Sequence, residues 1–203
     1  MKTFFIALSL IMCQLAFAQN SYEKAMTEAM QLWEAGKTDE AAAKFERIAS
    51  VEKKNWLPAY YQSLAYITKS FPLQDQTKRM ELLQKATSII NEKQTLGSES
   101  EWLVLKAFVL TSEMITDPMN NAQKLSPKII ATYKKAIQAD PENPRAIAGL
   151  AEFQIQSKRF TGGQTEQDYK DLEKALSLYD KDKTKGAFYP SWGKDRTEKM
   201  LTK

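Results

Sequence analysis

The sequence predicts an all-α protein assembled from antiparallel helix pairs, and three observations carry that expectation. Apolar residues recur at helical spacing from Tyr22 to Asp180. No segment alternates apolar and polar residues over enough length to form a strand. Finally, Ile129-x3-Tyr133-x2-Ala136-x4-Pro141 followed by Ala146-Ile147-x2-Leu150-Ala151 reads as the second helix of one hairpin, a stop, and the first helix of the next. Ala136 and Ala151 are small where two helices must approach, while Tyr133, Ile137, Ile147 and Leu150 are large where a gap must be filled. Pro141 cannot continue a helix, and Asp140-Pro141-Glu142-Asn143-Pro144 makes the turn.

In chain order, residues 1–18 read as a secretory signal peptide rather than as part of the fold. Lys2 is a short positive start, Phe4 to Ala18 is apolar except for Ser9 and Gln14, and Ala16-Phe17-Ala18 is a small-x-small cleavage site before Gln19. The apolar run is shorter than the roughly 20 residues of a spanning helix, and no basic stop-transfer cluster follows. No later segment is apolar enough to cross a bilayer. Cys13, the single cysteine, lies inside this leader, so the processed chain is expected to have no disulfide, thiol nucleophile or thiolate ligand. Leu10-Ile11-Met12-Cys13 makes a poor lipobox, because Met12 is not small. The expected location is the periplasm, with secretion second and a lipid anchor on Cys13 third.

Residues 19–180 form the helical domain. The first hairpin covers about Ser21 to Lys53, with Ser21 as cap and Gly36-Lys37-Thr38-Asp39-Glu40-Ala41 as the turn before Ala41, Phe45 and Ile48. The second covers about Trp56 to Lys93: Pro58 sits in the first turn, Phe71-Pro72 breaks the chain, and Leu82, Leu83, Ala86, Ile89 and Ile90 form the inner stripe. The third opens on Ser98 with Glu101 three residues on, a capping box. Within it Asp117–Asn121 reads as a long loop, and Ser126-Pro127 as the restart of the helix. The fourth pairs Arg145–Ser157 with Glu166–Tyr179 across Thr161-Gly162-Gly163-Gln164-Thr165. Residues 181–203 hold seven Lys or Arg against three acids. They also hold Phe188, Tyr189, Trp192 and Met200, too many apolar groups for a solvated arm. They are expected to form a basic capping segment docked on the fourth hairpin, with a short last helix capped by Ser191.

These motifs resemble the tetratricopeptide repeat, whose signature runs W-x2-L-G-x2-Y, then A-x3-F, then P over 34 residues. Tyr61, Leu64 and Ala65 stand in the W, L and G places, Trp102 and Leu105 fit the third pair, and Ala41 and Phe45 give the A-x3-F spacing. Lys53 stands where the family has proline, and Lys106 where it has a small residue. The equivalent sites Ile48, Ala86, Ala136 and Ala175 are 38, 50 and 39 residues apart. The resemblance implies a right-handed superhelical array, an α-solenoid of about four degenerate repeats plus a C-terminal capping helix.

Chemistry is constrained by absence. With no histidine in the chain, the usual general base, imidazole ligands and Ser-His-acid triads are all missing. No CxxC, HExxH, phosphate-binding glycine loop or EF-hand spacing occurs. Asp75, Asp117 and Asp182 read as turn or cap residues in loops. The expectation is a protein that is not an enzyme, has no cofactor and holds no metal. The near-neutral body argues against nucleic acid.

Function then rests on surface. In the resembled family the first helix of each pair lines a concave, partner-binding face. That implies a groove of Met26, Met30 and Trp33 in the first pair and Gln62, Tyr66 and Lys69 in the second. Leu103, Ala107 and Leu110 continue it in the third, and Ala148, Glu152 and Ile155 in the fourth. The expected activity is that of a protein- or peptide-binding scaffold whose partner the sequence does not identify. The alternative is a membrane-associated accessory subunit of an envelope assembly, held there peripherally.

Overall fold

The computed structural model describes residues 21–182 and 184–202; the expected signal peptide and Cys13 lie outside them. The described residues form helices and turns with no strand. The helices are α1 (residues 21–34), α2 (Thr38–Val51), α3 (Leu57–Ser70), α4 (Gln76–Lys93), α5 (Glu99–Met114), α6 (Pro118–Ala139), α7 (Pro144–Thr161), α8 (Glu166–Asp182) and α9 (Lys194–Leu201). The fold is all-α.

Helix starts follow local chemistry. The side chains of Asp75, Ser98, Asp117 and Asn143 each accept a backbone N–H from the first turn they precede, removing donors that a helix start leaves unpaired. Pro58, Pro118 and Pro144 occupy first turns, where a missing N–H costs nothing.

Two expectations fail here. α6 does not restart at Ser126-Pro127 but runs unbroken through Pro127. Leu125 and Ile129, on either side of the proline, are 4% and 0% exposed in the cluster formed with α5 and α7. Their burial offsets the lost hydrogen bond, a local cost of about 3 kcal/mol. The last helix starts after Gly193, at φ 103°, rather than at Ser191, and has no side-chain cap.

Consecutive helices pack on one another from α2 to α9, and α5 also touches α3 and α7. Three apolar clusters fill the stack. One joins α1 to α5 around Phe45, Tyr61 and Leu64, one joins α5, α6 and α7 around Ile129 and Tyr133, and one joins α7 and α8 around Ile155 and Leu172. Ala136 and Ala151 are fully enclosed, as the spacing predicts.

A close helix contact also lies at Gly149. A β-carbon on Gly149, in the middle of α7, would sit 2.4 Å from Cε1 of Tyr133. Gly149→Ala is favoured by about 1 kcal/mol of helix propensity, yet it drives a methyl group into a ring that is itself 2% exposed. Overpacking of that kind costs about 1–3 kcal/mol. The substitution should therefore lower stability in urea unfolding, and a stabilised variant would show that α6 and α7 pack in another register.

Candidate functional site

A face of α1, α3, α5 and α7 is crossed by residues 184–193, a strap between α8 and α9. Beneath the strap lies a network of buried charge. Glu101, in the first turn of α5, is 0% exposed. Its carboxylate accepts hydrogen bonds from Tyr60 Oη at 2.8 Å, Asn143 Nδ2 at 2.8 Å and Arg145 Nη2 at 2.7 Å. Nε of Arg145 lies 3.0 Å from both Glu101 oxygens. The same Nη2 of Arg145 also lies 2.7 Å from Asp182 Oδ2, and Lys185 bridges Asp182 and Asp140 at 3.2 Å each.

Glu101 therefore does not close the expected capping box. Ser98 caps the helix, but the glutamate side chain turns inward. Asp182 is likewise no loop residue, because it ends α8 and is 2% exposed.

Burial opposes the charge on Arg145, but the touching Glu101 carboxylate outweighs it and holds the guanidinium above its ordinary value. Burial, with the Glu101 charge second, pushes Tyr60 and Tyr189 upward. Burial also raises Tyr61, against the nearby charge of Arg145. These phenols stay protonated at neutral pH, and that of Tyr60 donates to Glu101. The arrangement pairs each charge with its opposite, which locks helices together but poises no group for proton transfer.

The strap contributes aromatic rings. Phe188 meets Tyr22 edge-on at 5.9 Å, Tyr189 meets Trp56 at 6.0 Å, and Trp192 meets Phe108 at 5.3 Å. Trp192 Nε1 donates to Tyr60 Oη at 2.9 Å. The Arg145 guanidinium lies 5.9 Å from the ring centres of both Tyr189 and Trp192, within cation–π range. Under these rings Trp56, Tyr60 and Trp102 form a mutual edge-to-face cluster at 5.3–6.0 Å. The C-terminal segment thus reaches from α7 to α1 and is not confined to the fourth hairpin, although α9 itself does pack on α8.

The groove residues read from the sequence do not form one surface. Met26 and Ile155 are 0% exposed, enclosed in the clusters of α1 to α5 and of α7 and α8, and Gln62 is 6% exposed. Ala107 and Ala148 are also buried. Glu152, at 9%, is covered by Arg196 of α9, which donates to its carboxylate. Met30, Trp33, Tyr66, Leu103 and Leu110 remain partly exposed. Lys69, also partly exposed, is paired with Asp39. Sequence reading missed Tyr60, Glu101, Asn143 and Arg145. The aromatic density of Tyr189-Pro190-Ser191-Trp192 was the one signal of a docked segment.

Burial raises the Glu152 pKa, with Arg196 opposing it. A raised folded value makes its contribution to stability greatest below the ordinary glutamate range and lost as pH rises through the raised value. Glu152→Gln should accordingly gain stability relative to the parent between about pH 4 and pH 7. Melting curves at both values check this, and a constant difference between the proteins would contradict it.

Among the described residues, no group of three His, Cys, Asp or Glu side chains could hold a metal, and no helix is long and apolar enough to cross a membrane. No family model matches the sequence, and no curated protein matches it. Among solved structures, the chain is similar to the HusA haemophore from Porphyromonas gingivalis. The two share 25% identity over 89% of this chain and 91% of the other, with a TM-score of 0.79.

Proposed function

We propose that this protein is a non-enzymatic carrier of a flat aromatic ligand bearing carboxylates, of the haem class. In this reading its helix pairs form a tetratricopeptide-like, right-handed array, and it works outside the cytoplasm, in the periplasm or secreted. The observation that carries the ligand class is the likeness to a haemophore over about nine-tenths of both chains. The aromatic cluster on the odd-numbered helices supports it, since stacked and edge-on rings suit a flat macrocycle. The chain has no histidine, so it supplies no imidazole axial ligand. Burial also holds Tyr60 and Tyr189 in the neutral form. Retention then rests on ring contacts and on ion pairs to the ligand's carboxylates.

The second reading is a peptide- or protein-binding scaffold. It is favoured by the partly exposed Met30, Trp33, Tyr66, Leu103 and Leu110 on α1, α3 and α5, because methionine and aromatic side chains suit an adaptable peptide surface. Titration of the purified protein with haemin separates the two. The carrier reading expects a saturable change in the haemin absorption band with parallel quenching of tryptophan fluorescence. Linear, unsaturable changes would contradict it and return the scaffold reading.

A further inference from the structure

The strap has an unusual attachment. Among the described residues its backbone N–H groups bond within its own neighbourhood: Thr184 N–H to Lys181 C=O, Lys185 N–H to Asp182 C=O, and Tyr189 N–H to Gly186 C=O. Across the odd-numbered helices it is held by the side chains of Phe188, Tyr189 and Trp192, with Lys185 fastening its root to Asp140 and Asp182. Three positive-φ residues punctuate it, Gly186 at 114°, Phe188 at 61° and Gly193 at 103°. Phe188 is the only non-glycine residue with positive φ among the described residues, a conformation that costs energy unless its surroundings enforce it.

The surface below is unlike an ordinary core. Trp56, Tyr60, Trp102 and Phe108 present a largely aromatic floor, and Trp192 and Tyr189 lie on it as two more rings. At its edge the Arg145 side chain is 0% exposed, and its Nη1 has no hydrogen-bond partner among the described residues. A buried guanidinium N–H without an acceptor is costly. The strap covers this group: the guanidinium carbon lies 5.9 Å from the ring centres of both Tyr189 and Trp192.

We infer that residues 184–193 are a lid, and that a flat aromatic carboxylate binds beneath it on the Trp56, Tyr60, Trp102 and Phe108 floor, replacing the rings of Tyr189 and Trp192 and giving Arg145 Nη1 an acceptor. The identity of the occupant rests on the haem-class reading above; the opening of the lid does not. In the closed state the strap's own rings occupy the site, so the observed affinity is the intrinsic affinity scaled by the fraction of open molecules.

Two substitutions outside the floor weaken the closed state. Lys185→Ala removes the ties to Asp140 and Asp182. Gly186→Ala meets nothing within 4 Å but forces an L-residue to a φ of 114°. Opening is read from solvent exchange of two indole N–H protons, that of Trp192, bonded to Tyr60, and that of Trp102, bonded to Leu96 C=O at 2.8 Å. Both variants should speed Trp192 exchange while leaving Trp102 unchanged. Both should also bind haemin roughly two- to tenfold more tightly than the parent. If the two indoles exchange together in every protein, the strap is a fixed part of the fold and the lid is refuted. If Trp192 exchange accelerates but haemin affinity stays at the parent value, the ligand lies elsewhere and the site is refuted. If Trp192 exchange accelerates and no protein binds haemin, the haem-class reading and its occupant fall while the lid stands.

Discussion

Arg145→Met is expected to destabilise the fold by about 3–5 kcal/mol, the cost of breaking a buried ion pair from one side. The substitution keeps much of the volume but leaves Glu101, at 0% exposure, and Asp182, at 2%, without the cation between them. Hydrogen bonds from Tyr60 and Asn143 to Glu101 remain, and they stabilise the carboxylate without neutralising it. The second variant Glu101→Gln/Arg145→Met should recover part of the loss, because the uncompensated charge goes with the first substitution. Urea unfolding of the single and double variants measures the coupling. A loss below about 1 kcal/mol for Arg145→Met would place the pair in water, where such contacts contribute little.

Gly97→Ala should cost about 2–4 kcal/mol for two separable reasons. Gly97 sits at φ 71°, which an L-residue adopts at a penalty of about 1–2 kcal/mol. Its added β-carbon would also lie 2.2 Å from Cγ of Trp56. The indole must then leave its contacts with Tyr60, Trp102 and Tyr189. Gly36→Ala is the control: its φ is 75° but nothing lies within 4 Å, so it should lose the conformational part alone. Equal losses in the two variants would show that Trp56 is not packed on the α4–α5 turn.

The helix pairs were legible because burial leaves a period in the sequence. Ala41, Phe45 and Ile48 on α2, and Ile129, Tyr133 and Ala136 on α6, are spaced as a helix face and are all buried. Caps were legible for the same local reason, as at Asp75, Ser98 and Asp117. Pro127 misled because proline is a local stop signal, whereas the continuation of α6 is decided by tertiary burial of Leu125 and Ile129. Met26 and Ile155 were read as groove residues but are enclosed in apolar clusters, and spacing alone does not say which flank of an odd-numbered helix is covered.

The charged network left no trace for a different reason. Glu101 and Arg145 are 44 positions apart, and each has a sufficient local reading, as a capping-box glutamate and as a first-turn arginine. Only the stacking of α5 on α7 brings them together. The strap was half legible. Its aromatic residues announce docking, but its path to Tyr22 depends on Gly186 and Gly193 turning the chain, and neither turn has a periodic signature.

The most direct test of a haem-class ligand on the odd-numbered helices uses the four tryptophans as position markers. Haemin is paramagnetic, so a bound molecule broadens nearby indole N–H resonances. With the site on the floor beneath the strap, the signals of Trp56, Trp102 and Trp192 should broaden or disappear together as haemin is added. They should reach their limit at the same haemin concentration as the absorption change. Four indole signals that stay sharp and unshifted at saturating haemin, or broadening confined to Trp33, would contradict the account.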